Sequence, residues 1–217
     1  MGFVKVLHQD DSAEQEWKLN NEYKVFNLTP FTHTIKLEAD MLFTQQTDWW
    51  WNYLWQHNQV FSYKCRNYKD EVVGNSFYRK LFYRNGLPDV YSGLHYFRRS
   101  KESQQFYKLC ETIIKDWKTV KENILINCHD EQPTTDVVYA LSNKIQDPLQ
   151  ADKIEYEWFK FMHNKQHINK VNPIYENDNY LYPLQVKNKL YIGGYRQDRI
   201  VHYHNKALPK ELHARIF

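Results

Sequence analysis

The sequence predicts an α/β fold, a mixed sheet flanked by helices. Segments rich in β-branched and aromatic residues alternate with segments of helical periodicity along the 217 residues. Aromatics make up 17% of the chain, with seven Trp and seventeen Tyr, enough to fill a core and inconsistent with disorder. Glycine is scarce, at six residues, which argues against a Gly-rich nucleotide fold. A chain of this length fits one domain able to bury a core without staples.

The elements follow in order. Residues 3–7 (FVKVL) read as a short strand and 16–27 as an amphipathic helix built on Trp17, Tyr23 and Phe26. Leu28-Thr29-Pro30-Phe31 is a turn, because proline lacks a donor and restrains its predecessor. Residues 34–37 (TIKL) form a strand that ends in Glu38-Ala39-Asp40. Asp48 is placed to cap a helix from Trp49 to His57, with the Trp cluster as core and cover. Residues 60–66 and 90–98 are strand-like, and 68–86 cover the site. Ser100 caps a helix over 101–118, whose Phe106, Leu109, Cys110, Ile113, Ile114 and Trp117 recur at helical spacing. Pro133 and Thr134 start another helix. Residues 155–163 fit a short helix or a strand, 180–192 alternate, and 200–204 form a last strand.

Charge and cysteine content narrow the class. The net charge of +3 permits a phosphate-bearing ligand without demanding nucleic acid, since Lys and Arg are scattered. Cys65, Cys110 and Cys128 form no CxxC pair, so free thiols in a reducing cytoplasm are expected. No run reaches the roughly 18 apolar residues of a membrane span, and no signal peptide opens the sequence.

The informative chemistry lies where the apolar strand 34–37 ends in two carboxylates, Glu38 and Asp40. Ligands gather at the carboxyl ends of strands in α/β sheets, and hard oxygen donors suit Mg²⁺ or Mn²⁺. Taken alone, such a pair is more often a solvated acidic turn.

Four segments in order give it context. Leu28-Thr29-Pro30-Phe31 with Thr34 to Asp40 resembles the "T-P-F/Y" turn and DxD strand of GT-A glycosyltransferases. Val90 to Ser100 is similar to that family's "N-S-G" strand, which packs beside the metal and leads into a helix. Gln132-Pro133-Thr134-Thr135-Asp136 is similar to its acceptor-side segment, and Ile200 to Lys206 resembles its C-terminal His and Lys motif. The resemblance covers about residues 16–206 of a single GT-A-like domain. It implies a metal-dependent hexosyl- or pentosyltransferase using a nucleotide-sugar donor, with Mn²⁺ or Mg²⁺ as cofactor. Asp40 and His202 would hold the metal, with His204 as the competing ligand. Glu38 and Lys206 would contact the donor, Lys206 through its diphosphate. Asp136 would orient the acceptor hydroxyl or act as catalytic base.

Two departures stand out. The first carboxylate is Glu38 rather than Asp, and residues 1–37 precede it, so the expectation is that the base-binding βαβ portion is reduced, is supplied by a partner chain, or marks a degenerate or split enzyme. Tyr23, Phe26 or Tyr63 would then stack on the base, or the chain would associate with itself or a partner chain. The acceptor stays open between a glycan, a protein and a modified DNA base. A non-catalytic binding or scaffold protein of the same fold and a nucleic-acid-associated protein are the competing readings. The expected setting is the cytoplasm, including a host cytoplasm if the protein is virus-encoded.

Overall fold

The computed structural model of the protein describes residues 19–74, 79–164, 184–186, 189–192 and 194–203. The helical start expected over 16–27 is a 3-10 turn, Glu22–Lys24, running into α1 (Val25–Leu28). The strand expected over 3–7 lies outside the described residues. After the Pro30 turn comes β1 (His33–Leu37), then β2 (Met41–Leu42), a two-residue strand in a different sheet.

The Trp-rich helix is shorter than expected. A 3-10 turn over Asp48–Trp50 leads into α2 (Trp51–Leu54), and its N-cap is Thr47. Asp48 therefore sits inside the first turn and caps nothing. Its charge can favour that end through the dipole alone. Trp50 is buried, whereas Trp49 and Trp51 stay well exposed. Next come β3 (Gln59–Tyr63), α3 (Lys80–Asn85) and β4 (Val90–Arg98).

The helix expected over 101–118 is two helices, α4 (Lys101–Lys115) and α5 (Trp117–Asn123). Asp116 between them leaves helical geometry at φ −110°, ψ 30°. The break lets Trp117 bury its ring and donate its indole N–H to the Asp130 carbonyl at 3.1 Å. Ser100 does cap α4, accepting from the Ser103 amide at 3.2 Å. The remaining elements are α6 (Thr135–Gln146), β5 (Phe161–Asn164), β6 (Leu184–Val186), β7 (Lys189–Ile192), β8 (Tyr195–Gln197) and β9 (Ile200–Tyr203). Within 155–163 the strand form prevails, and only from Phe161.

The chain is thus mixed α/β. Its larger sheet has the order β1-β4-β3, with both pairings antiparallel. The central strand β4 is buried along nearly its whole length, Ser92 and His95 included, as befits a strand covered on both faces. One face packs Phe97 under Phe106 and Cys110 of α4 and Val138 of α6. The other face packs Tyr91, Leu94 and Tyr96 against Trp50, Leu54 and Phe159. Strand β4 bulges against β3: His95 pairs with Phe61, but the next residue, Ser62, pairs with Tyr91. A bulge shifts the phase of alternation, which is why Tyr91 and Leu94 share one core.

A smaller sheet has the order β2-β9-β5, with β5 parallel to β9 and β2 antiparallel. Leu42, Met162 and Val201 pack with Leu190 and Ile192 of the β6-β7-β8 meander. Strand alternation sends Met41, Phe161, His163 and His202 to the opposite face. No helix among the described residues is long and apolar enough to cross a membrane.

Candidate metal-binding cleft

The motif strand changes sheets at its acidic end. The Glu38 amide still donates to the Gly93 carbonyl at 3.2 Å, on the bulged part of β4. The chain then turns through Ala39 and Asp40 and enters β2, where Met41 pairs with His202 of β9. The turn and the pairing together bring three side chains to one point. His202 Nε2 lies 2.8 Å from Glu38 Oε2 and 3.0 Å from Asp40 Oδ1. One ligand atom from each of the three residues falls within 4.8 Å of the others. An octahedral ion about 2.1 Å from two adjacent ligands holds them about 3 Å apart, so these spacings suit one small divalent cation.

Glu38 stands as close to the imidazole as Asp40 does, over the bare backbone of Gly93. A Cβ at Gly93 would come within 3.0 Å of Glu38 Oε2 and 3.1 Å of its Cδ. The longer Glu side chain therefore lies over bare backbone. His202 is buried behind the two half-exposed carboxylates. Its Nδ1 meets His163 Nδ1 at 3.2 Å.

A cleft of about 620 Å³ opens beside this cluster, lined by Glu38, His163, His202, Arg79, Ser92 and Asp136 among others. Asp136, in the first turn of α6, is tied to the bulge of β4. Its Oδ1 accepts from the Ser92 amide at 2.7 Å and the Ser92 hydroxyl at 2.9 Å. Its Oδ2 lies 3.5 Å from Arg79 Nη2. The Arg79 guanidinium is packed 3.4 Å from the Phe82 ring centre and 4.0 Å from that of Tyr91. Arg79 donates to Asp89 at 2.9 Å. Burial pushes the Asp89 carboxyl up to about 6, against the opposing pull of Arg79.

The structure therefore brings Glu38, His202 and Asp136 around one cleft, and Asp40 joins the cluster through its contact with His202. Lys206 and His204 lie outside the described residues. Other expectations need correction. Phe26 and Tyr63 cannot stack on a base, since both are buried in the core beneath α4 and α6. Tyr23 packs partly against that same core. Away from the cleft, His95 of β4 stacks on Phe61 with ring centres 4.3 Å apart. Arg98 is engaged by the Asn58 side chain. Sequence reasoning missed His163, Arg79 and Asp89. His163 carries one faint signal, a histidine closing an apolar strand.

No protein-family model, curated protein or solved structure matches this chain.

Proposed function

We propose that this protein is a divalent-metal-dependent glycosyltransferase of the GT-A type, acting on a nucleotide-sugar donor. The observation that carries the reading is the convergence of Glu38 and Asp40, just past β1, with His202 of β9, in a cluster whose Glu38 and His202 line one cleft with Asp136. Two carboxylates around one imidazole put negative charge where a diphosphate would be repelled, unless a cation bridges the two. When bound, Mn²⁺ or Mg²⁺ would stabilise the charge that builds on the leaving diphosphate.

The chain's own groups supply the rest. Glu38, Asp40 and His202 would hold the ion, and Lys206 would add a point charge towards the diphosphate. Asp136 lines the cleft with Oδ1 fixed by Ser92 and Oδ2 3.5 Å from Arg79 Nη2, and its carboxylate would accept a hydrogen bond from the acceptor hydroxyl. Whether that carboxylate only orients the hydroxyl or removes its proton separates retention from inversion. The acceptor class is a glycan, a protein or a modified DNA base.

Among the described residues, β1 pairs on one side only, with β4. Among those residues the strand that leads into Glu38 and Asp40 is an edge strand, and such edges are commonly covered. Self-association or a partner chain along β1 would supply the wall for the base. Light scattering tests the association.

A thermal-shift screen of nucleotide sugars, with and without Mn²⁺, tests the function, because a ligand of the folded state raises its apparent stability. The expected result is a shift by one class of nucleotide sugar that requires Mn²⁺ and disappears in Asp40→Asn. A protein insensitive to every donor in the presence of Mn²⁺ would remove the transferase reading.

A further inference from the structure

His163 sits on β5 directly opposite His202 on β9 in the parallel register. It is buried, at 4% exposure, and it lines the same cleft. The two rings meet nearly at right angles with centres 4.6 Å apart, Nδ1 against Nδ1 at 3.2 Å. Phe161 and Tyr91 pack around the His163 ring, at 5.8 Å and 6.1 Å. Among the described residues, the set close enough to share an ion is Glu38, Asp40 and His202, without His163.

Tautomer chemistry assigns His163 a part. A hydrogen bond between two imidazole nitrogens needs one N–H and one lone pair. The Nε2 of His202 faces Glu38 and Asp40. To ligate an ion there, Nε2 must present its lone pair, which puts the proton of the neutral ring on Nδ1. The Nδ1 of His163 must then accept, with its own proton on Nε2. Without an ion the reverse arrangement fits: His202 Nε2–H donates to the carboxylates, and His163 Nδ1–H donates to His202 Nδ1. The two arrangements carry the same charge.

We propose that His163 is a positioning residue for the metal centre, accepting the Nδ1–H of His202 and so holding the Nε2 lone pair towards Glu38 and Asp40. This rests on the metal site of the function proposed above. Metal-ligating histidines commonly have such a partner, usually a carboxylate or carbonyl, and losing it typically costs about 10- to 100-fold in metal affinity. A histidine differs from those partners because it can either accept or donate. It therefore suits His202 in both tautomers, loaded and unloaded.

The test is a Co²⁺ titration followed by absorbance, on the wild-type chain, His163→Gln and His163→Phe. Thermal melting establishes that each is folded. Glutamine retains an acceptor and should bind close to wild type, whereas Phe should weaken binding about 10- to 100-fold. Nitrogen NMR of the Zn²⁺-loaded wild type should show the His202 proton on Nδ1, a readout that needs no variant. Binding by His163→Phe as tight as wild type, or a loaded His202 without a proton on Nδ1, overturns the proposal alone. A wild-type chain that takes up no Co²⁺ overturns the metal reading and this proposal together.

Discussion

Two histidines are buried to nearly the same degree in two different sheets. His95 on β4 is fully buried, and His202 on β9 is 4% exposed. Their surroundings differ. His95 lies among the rings of Phe61, Phe97, Phe106 and Tyr139, with the Tyr107 hydroxyl at 3.1 Å from its Nδ1. Burial, with Lys36 as a lesser cause, holds its pKa well below the ordinary histidine range. It behaves as a neutral aromatic filler. His202 has a carboxylate pair at one ring nitrogen and a second imidazole at the other. Burial alone does not separate the two histidines; what their ring nitrogens face does.

The strongest way to break this contrast is Asp40→Ala. It should lower Mn²⁺ affinity by more than the ~100-fold ceiling typical of outer-shell losses, measured by calorimetry. Equal binding by variant and wild type would leave His202 no more than a buried polar residue. Asp89 sharpens the contrast from a third side, as a buried acid beside the cleft. Burial pushes its carboxyl from the ordinary 3.8 up to about 6, so the native state binds more protons between those values. Its contribution to stability is therefore full below about pH 3.8 and lost as pH rises through about 6. Wild type should lose on the order of 2–3 kcal/mol relative to Asp89→Asn between pH 4 and 7, by urea denaturation. A flat difference would show that the Arg79 pair, not burial, governs this acid.

Gly93→Ala should have a smaller effect. The added methyl meets the Glu38 carboxylate at 3.0 Å and Met41 Cε at 3.1 Å. Metal affinity should fall about tenfold, the low end of outer-shell losses, with the fold retained by circular dichroism. Unchanged affinity would mean that Glu38 is dispensable. The smallest change is expected for His95→Phe. It removes the acceptor for Tyr107 but also a buried polar ring, so stability should move by no more than about 1 kcal/mol. Metal affinity should not move at all; a loss there would erase the distinction between the two histidines.

Local chemistry was legible where one segment decides its own fate. Strand β4 has the bounds its strand-like segment 90–98 indicates, and Ser100 caps α4 as its position before the periodic run implies. Helix lengths were less legible, because tertiary contacts set them. Trp117 breaks its helix to reach Asp130, and Asp48 lost the cap to Thr47. In the cleft, Glu38, Asp40 and His202 could be singled out because their motifs are local. Arg79, Asp89 and His163 could not. Their roles come from a bulge in β4 and a parallel register between β5 and β9, neither of which leaves a periodic trace in sequence.

The pairing of β2 with β9 also has a consequence in time. During synthesis, Glu38 and Asp40 emerge early, and the acidic turn they form has no imidazole to close it. Strand β9 arrives far later in the chain, after every helix described here. A nascent chain can assemble the β1-β4-β3 sheet and the helices packed on it while the proposed cation site is still two carboxylates on an open turn. Cation uptake by this site would therefore report that the chain had been translated through His202 and threaded into its last sheet.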